Sequence, residues 1–428
     1  MTQIITPRKL PGFWELDPQK EVVFEDMLQK IKSVFIRHAF LPLDTPVMEL
    51  SQVLLAKSGG DIDKEIYRII KGSTDACLRY DFTVPLARFV AANAETLSFP
   101  FKRFQIGKNY RGERPQKGRF REFYQCDADI IGDGALSLVN DAECVALYID
   151  IFKELNLNGV VEVSNRKVLF GLCKFLGEED NFSQISIILD KMDKIGEDEC
   201  RNMLVELGVK NVQPLLDLVK VKGDREAIIA LKDMCDEAMF IEGVEELLKI
   251  DEFLKAMEQD KYVFNLGIIR GHNYYTGTVF EAYLNGLENC GAVGGGGRYE
   301  NLAGYFSHKS LPGVGMSIGM SRLFDVLDNN NMLPEIKGAA KVAVIPFEGA
   351  LTYAIKAVKK LQDAGIASEV YGEEKSFKSK MKDANRRDAE FVILIGEDEI
   401  NSGLLSFKDM KTSQQQKLTI EEIINFLR

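Results

Sequence analysis

Phe101-Lys102-Arg103-Phe104-Gln105-Ile106-Gly107-Lys108-Asn109-Tyr110 and Phe120-Arg121-Glu122-Phe123-Tyr124-Gln125-Cys126 are two strand-like runs on either side of Arg114-Pro115-Gln116-Lys117-Gly118. Pro and Gly in the connecting segment mark a turn, so the two runs predict a long hairpin. Residues 102 to 121 carry Lys102, Arg103, Lys108, Arg111, Arg114, Lys117, Arg119 and Arg121 against Glu113 alone. Like charges this close repel, so a buried or surface anion is expected beside them. The loop could hold nucleic acid and the stem a nucleotide phosphate; the plainer alternative is a solvated cationic tip.

Downstream, Gln125, Asp127 and Asp129 alternate with Cys126 and Ala128. In a strand, Gln125 and Asp129 share the face that carries Phe123, giving an amide and a carboxylate on one wall beside an aromatic ring. Such carboxylates suit a metal or acid/base chemistry, or they are simply a strand's exposed face. Upstream, Leu78-Arg79-Tyr80-Asp81-Phe82-Thr83-Val84-Pro85 precedes a predicted helix over residues 86–94. If the segment is extended, Asp81 and Thr83 point the same way and suit an ammonium ligand; alternatively they cap the helix. Before it, residues 66–70 and 76–79 read as short strands joined by a turn over residues 71–75. Residues 21–38 have helical spacing, followed by a Pro-marked strand over residues 39–50.

Another unusual stretch is Arg270-Gly271-His272-Asn273-Tyr274-Tyr275-Thr276-Gly277-Thr278-Val279-Phe280-Glu281. Its second half reads as a strand. Its Arg and adjacent tyrosines offer planar donors and phenolic donor-acceptors to a small polar ligand, or they form a structural strand edge. Gly294-Gly295-Gly296-Gly297-Arg298-Tyr299-Glu300 and Gly313-Val314-Gly315-Met316-Ser317-Ile318-Gly319 permit close backbone approach. Neither is expected to be a strand-to-helix dinucleotide loop or a P-loop.

Between residues 165 and 258 the period becomes helical throughout, with no chemical constellation, which predicts a helical insertion. After a linker over residues 334–340, strands and helices alternate as a small α/β domain. Its segment from Lys375 to Arg387 is basic, an RNA-facing surface or a solvated helix face. The 428-residue chain has 46% hydrophobic and 28% charged residues, a globular composition of about three domains. The net charge of -11 argues against nonspecific coating of nucleic acid but leaves room for local basic patches. Seven cysteines without C-x-x-C spacing and three scattered histidines argue for reduced thiols and against a zinc site. No signal peptide or membrane-spanning run is read, so a cytoplasmic protein without membrane attachment is expected.

Several motifs occur together in one order. Tyr110 to Arg119 with Phe123 to Gln125, Gly315 to Leu323, Phe40 to Leu50, the stretch Arg270 to Glu281, and Phe391 to Glu399 resemble the class II aminoacyl-tRNA synthetases, and within them the histidyl-tRNA synthetases. In family terms these are motif 2, motif 3, the dimer-forming motif 1, the histidine signature and part of the anticodon-binding domain.

The resemblance implies an α+β fold: a class II antiparallel sheet flanked by helices, a helical insertion, and a C-terminal α/β anticodon-binding domain. Its expected parts are a catalytic core over 1–164 and 259–333, the insertion over 165–258 and the anticodon-binding domain over 338–428. It implies that Arg111 and Arg270 hold the ATP α-phosphate and the histidine carboxylate as they react. Arg119, Arg322, Phe123 and Glu113 match ATP-binding positions, with Arg322 and Phe123 on the two faces of the adenine. Asp81, Thr83 and Gln125 match those for the substrate ammonium, Asp129 and Tyr275 those for the imidazole, and Tyr274 and Tyr299 the remaining wall. Arg114 and Gln116 would approach the tRNA acceptor end.

ATP as substrate, Mg2+, L-histidine, tRNA-His and a homodimer are implied as well; no metal ligands are assigned. The implied activity is histidine–tRNA ligation through a histidyl-adenylate. A non-catalytic histidine-sensing regulatory paralogue and a structural RNA-binding protein are the competing readings. The chain departs from the family pattern at His272-Asn273, where Leu-Asp is common, and at Ser321, where an acidic residue is common. Asp81 and Asp129 are one methylene shorter than the Glu of many members.

Overall fold

The structure, a computed structural model, describes residues 5–56, 65–114, 118–269, 275–300, 302–334 and 338–428. It divides into one unit of Met1–Glu15 with Glu25–Met332 and another of Leu16–Phe24 with Leu333–Arg428. The described strands of the first unit are β1 (Leu41–Pro42), β2 (Met48–Leu50), β3 (Arg68–Lys71), β4 (Thr74–Leu78), β5 (Phe101–Tyr110), β6 (Glu122–Ile131), β7 (Gly159–Asn165), β8 (Lys222–Gly223), β9 (Tyr262–Asn265), β10 (Thr278–Leu284), β11 (Gly294–Tyr299) and β12 (Gly313–Gly319).

Its main sheet runs β1-β5-β6-β12-β11-β10-β7-β9-β8. Every pairing from β5 across to β7 is antiparallel, while β1 joins β5 and β9 joins β7 in parallel. The predicted hairpin is β5 and β6, paired from Phe101↔Ile131 to Tyr110↔Glu122. Cys126, Ala128 and Ile130 alternate into the core, each fully buried, which sets the opposite face of β6 toward the cavities described below.

The glycine-rich run is strand β11, not a loop. A Cβ on Gly296 would lie 2.1 Å from the Gly315 carbonyl oxygen and 2.5 Å from the Phe280 ring. The absent side chain admits that ring between strands. Gly313 to Gly319 forms β12, which runs directly into the helix Met320–Asn329. A strand-to-helix junction exists there, but its glycines lie within the strand and form neither a dinucleotide loop nor a P-loop.

Two more local expectations change. Phe82 has φ -98° and ψ -12°, so Asp81 to Thr83 is not extended; it leads straight into the helix Thr83–Asn93. Asp81 Oδ1 accepts the Val84 N–H at 3.1 Å, which ties a first-turn amide that the helix leaves unpaired. The turn expected over residues 71–75 shrinks to Gly72 and Ser73, with Gly72 at φ +61°. β3 and β4 form a small antiparallel sheet with β2. The Pro-marked segment over residues 39–50 thus contributes two short strands to two different sheets. The region after β7 is a succession of helices from Arg166–Phe175 to Ala238–Ala256, interrupted by the two residues of β8.

The second unit adds β13 (Val342–Pro346), β14 (Ser368–Val370), β15 (Phe391–Ile395), β16 (Leu405–Asp409) and β17 (Gln415–Leu418), in the order β14-β13-β15-β16-β17. Val342, Val344, Ile393, Ile395, Leu361 and Ile423 are at the centre of its core. β17 and the short helix Glu397–Ser402 lack a strong apolar period and went unread in the sequence.

His38, just past the helix Pro18–Arg37, pins that helix end to the helix Val139–Glu154. Its Nε2 lies 2.9 Å from Asp150 Oδ2 and its Nδ1 lies 3.5 Å from Glu143 Oε1. The Asp150 hydrogen bond, with Glu143 adding to it, raises the His38 pKa to about 9 against the cost of burial. A raised folded-state pKa contributes stability that is complete below about 6.5 and lost as the pH rises through about 9. His38→Gln is expected to lower the urea midpoint at pH 6 and to flatten its decline between pH 6.5 and 9.5; an unchanged pH profile would contradict this.

Candidate active site

The face of β6 opposite the core carries Phe123, Gln125, Asp127 and Asp129 at every second position. Gln125, Asp127 and Asp129 line a cavity of about 260 Å3, together with Asp81, Thr83, Arg111, Tyr275 and Tyr299. Phe123 lines a neighbouring cavity of about 430 Å3, with Glu113, Arg119 and Arg322. Arg111, Gln125 and Gly319 border both cavities.

The first cavity is acidic and its deepest group is held firmly. Asp129 Oδ2 lies 2.7 Å from the Arg103 guanidinium, with both side chains almost wholly buried. Asp129 Oδ1 accepts the Tyr299 hydroxyl at 3.0 Å. A Cβ on Gly315, its partner across β12, would sit 2.0 Å from that same oxygen, so only glycine leaves the carboxylate room to lean over the sheet. Burial raises the Asp129 pKa, while Arg103 and the Tyr299 hydroxyl oppose it. Burial likewise pushes Asp81 up to about 6 and Asp127 up to about 7. Three buried carboxylates with one committed guanidinium make this a cavity for a cation.

The second cavity has the opposite balance. Arg322, in the first turn of the helix Met320–Asn329, donates to the Cys290 carbonyl at 2.6 Å. Burial first, and then the nearby Arg119, lower its pKa. Arg119 lies 3.5 Å from Glu113. Arg111 donates through Nε to the Tyr80 carbonyl at 3.2 Å, and its guanidinium lies 5.1 Å from the Phe123 ring centroid. A cation therefore stands where an acidic chamber meets a basic one.

The structure brings together Asp81, Thr83, Arg111, Gln125, Asp129, Tyr275 and Tyr299 in the first cavity, and Arg111, Glu113, Arg119, Phe123 and Arg322 in the second. Arg114 is exposed on the loop beyond them. Arg270, Tyr274, Gln116 and the His272-Asn273 departure lie outside the described residues. Ser321 is buried, and its hydroxyl accepts the Tyr124 N–H at 2.9 Å, which ties the helix to β6.

Four of the hairpin's eight cations are answered by carboxylates of the protein. Arg103 pairs with Asp129, Lys102 with Glu143, Lys108 with Glu122 and Arg119 with Glu113. Sequence reasoning missed Arg103 as a buried partner, Ser317 across the sheet, and Asp127. For Asp127 the signal was present, because the period of two that joins Gln125 to Asp129 passes through it.

The chain matches the histidyl-tRNA synthetase family model over residues 12–323 and an anticodon binding domain model over residues 341–428. It belongs to the histidyl-tRNA synthetase family. A histidine–tRNA ligase of Clostridium tetani is 43% identical over 434 residues, covering 99% of each chain. The crystal structure of histidyl-tRNA synthetase from Nostoc sp. PCC 7120 superposes with a TM-score of 0.92 at 31% identity, over 99% of this chain and 100% of that one. A Bacillus halodurans chain named as an ATP phosphoribosyltransferase regulatory subunit/histidyl-tRNA synthetase superposes with a TM-score of 0.77 at 21% identity, covering 92% of this chain and 99% of that one, which shows a shared fold alone.

Within this family member, a third cavity of about 540 Å3 lies in the second unit, at the C-terminal ends of β13 and β14. β14 and β15 flank β13 on opposite sides, both parallel to it, and such a switch point leaves a crevice. Phe347 and Phe377 stack there with centroids 5.4 Å apart, and Lys375 and Lys380 line it. The basic segment is partly neutralised, since Lys375 pairs with Asp383 and Arg387 with Glu369.

Asp129→Asn is expected to destabilise the first unit by about 3–5 kcal/mol, because it leaves the Arg103 guanidinium buried without its counter-charge. Adding Arg103→Met should recover most of that loss. Chemical denaturation of the single and double variants checks both expectations.

Proposed function

We propose that this chain ligates L-histidine to the 3' end of tRNA-His, consuming ATP and releasing AMP and pyrophosphate. The observation that carries the reading is Arg111 at the border of an acidic and a basic cavity. Histidine brings an ammonium and an imidazole to the acidic side, and ATP brings its phosphates to the basic side. The amino-acid carboxylate and the α-phosphate then meet at the shared cation.

The carboxylate oxygen attacks the α-phosphorus, the bond to the leaving pyrophosphate breaks, and histidyl-adenylate forms. A hydroxyl of the tRNA terminal ribose next attacks the acyl carbon, and AMP departs. The attacking carboxylate is already ionised, so the first step needs no protein base. Its rate comes from positioning and from cations placed where charge accumulates on phosphate.

In this scheme Arg111 and Arg270 hold the two reacting groups. Arg322 and Phe123 take the adenine between them, Arg322 reaches the γ-phosphate, and Glu113 and Arg119 complete the nucleotide site. Asp81, Thr83 and Gln125 receive the ammonium. Asp129 and Tyr275 address the imidazole nitrogens, and Tyr274 and Tyr299 close the wall. A pocket that hydrogen-bonds both ring nitrogens leaves buried polar groups unpaired with any other side chain, which discriminates strongly.

Mg2+ would arrive on the ATP phosphates, with water filling most of its shell. Glu281, which lines the first cavity, is a carboxylate suited to one position there. Arg114 and Gln116 would approach the acceptor end, and the crevice beside Phe347 and Phe377 offers a stacking surface for an RNA base. No helix among the described residues is long and apolar enough to cross a membrane. All seven cysteines are free thiols and six are buried, which supports work in the reducing cytoplasm. Curated relatives that span the whole chain carry the ligase name, which favours this reading over a regulatory paralogue.

The test is ATP–pyrophosphate exchange. It should require histidine, and Arg111→Ala should slow it by about 10^2-fold or more with an unchanged melting temperature; histidine-independent or absent exchange in the wild type would falsify the ligase reading.

A homodimer is the assembly proposed. Leu41, Val47, Met48, Leu50 and Ile70 are exposed apolar residues gathered on and beside β1, β2 and β3, in the segment resembling motif 1 and the small sheet next to it. Met48→Asp with Ile70→Asp should convert a sedimenting dimer to a monomer and reduce exchange activity. A dimer unaffected by both changes would show that the interface lies elsewhere.

A further inference from the structure

Asp127 stands between Gln125 and Asp129 on β6, lines the first cavity, and is 4% exposed. A row of hydrogen bonds ends on it. Asn109 Nδ2 donates to Gln125 Oε1 at 2.7 Å, Gln125 Nε2 donates to Ser317 Oγ at 2.8 Å, and the Ser317 hydroxyl donates to Asp127 Oδ1. Every donor in the row points the same way, so each polarises the next and the negative end is the Asp127 carboxylate. An ionised carboxylate accepts about four hydrogen bonds, and this one receives a single described side-chain bond. Arg103 lowers its pKa through space, but no hydrogen bond joins the two among the described contacts; Arg103 Nη2 goes to Asp129, and its Nε and Nη1 are buried without a partner. A buried carboxylate left in that state calls for a cationic partner.

The substrate geometry selects which cation. Arg111 anchors the amino-acid carboxylate at the Gln125 end of β6, and Asp129 receives the imidazole at the other. Asp127 stands on the same face between these two anchors and lines the same cavity, so it borders the space that the α-ammonium occupies.

Resting on the ligase reading above, we infer that Asp127 is a second carboxylate for the α-ammonium of histidine, acting beside Asp81, and that Ser317 is its positioning residue. Asp81 and Asp127 then place two negative charges against one ammonium. The Gln125 oxygen, which accepts from Asn109, keeps a second lone pair for the ammonium, and the row orients it. The groups that face Asp127 are Asp81 from the start of the helix Thr83–Asn93, Asp129 on its own strand and Arg103 on β5. Ser317 comes from β12, and Arg79 and the Tyr148 phenol lie farther off. Burial foremost, with Asp129 and Asp81 adding to it, brings Asp127 to about 7. Ammonium binding therefore displaces a proton near neutrality, and affinity falls as the pH drops through 7.

The probes are histidine, histidinol, which keeps the ammonium but lacks the carboxylate, and imidazolepropionate, which keeps the carboxylate but lacks the ammonium. Asp127→Asn should raise the KM for histidine in pyrophosphate exchange by about ten- to a hundredfold, as losing one charge-assisted hydrogen bond does. The turnover number and the KM for ATP should stay within about threefold. The variant should lose affinity for histidinol and keep it for imidazolepropionate, whereas a merely structural defect would weaken both. In the wild type, calorimetry of histidinol binding at pH 7 in two buffers of different ionisation enthalpy should show net proton release. Equal losses for both probes, an unchanged KM, or no proton release would overturn the inference. Wild-type exchange that is histidine-dependent while Asp127→Asn behaves as wild type would sink this inference alone; absent exchange in the wild type would sink the ligase reading itself.

Discussion

The pleat of a single strand, β6, organises the site. Successive side chains leave a strand on opposite faces, so Cys126, Ala128 and Ile130 enter the core while Phe123, Gln125, Asp127 and Asp129 face the cavities. A slip of one residue would exchange the two sets, burying polar groups in the core and pointing apolar groups at the ligand. Pairing with β5 along ten residues and with β12 along seven prevents that slip. The same register sets Arg103 beside Asp129 and Gly315 beneath it, so the core's demand for order also positions the chemistry.

Electrostatics then divides the two cavities. The acidic one confines Asp81, Asp127 and Asp129 away from water, which by itself disfavours their ionised forms and pushes their pKa values up. Arg103 offsets part of this by pairing with Asp129. The remaining negative potential is relieved by a proton or by an entering cation. Across Arg111 the balance reverses, and burial with the neighbouring Arg119 lowers the Arg322 pKa. An anion relieves that side. Each chamber is thus strained in the sense that an ion of opposite sign would correct, and in the ligase proposed above a substrate that carries both signs lies across the boundary. Binding energy from the two ends is spent on holding the reacting groups together.

Much of this was legible in the order of residues. The β5–β6 hairpin, the strand after Gly277, the helical region before Tyr262 and most of the α/β alternation after residue 340 follow from hydrophobic period and turn chemistry. The segments that went unread, β17 and Glu397–Ser402, are short and polar, so no period marks them. The hairpin's cations were read as needing a buried or surface anion, and for four of them that anion is a carboxylate of the protein, Glu143, Glu122, Asp129 or Glu113, brought close by pairing and packing. Asp81 shows the opposite case. Capping and ligand binding looked like alternatives, yet one oxygen ties Val84 while the same side chain lines the cavity.

By itself the sequence determined the element types, the family, and the identity of most groups in the two cavities, because period, turn residues and motif spacing are local properties of the chain. Only the tertiary structure decided which charges neutralise one another inside the protein and which are left for a ligand. Strands far apart in sequence meet at β6, and a charge's partner, burial and pKa are set by neighbours in space. Arg103 and Asp127 show the difference. Both stand openly in the sequence, and only folding makes one the counter-ion of Asp129 and leaves the other lining the first cavity.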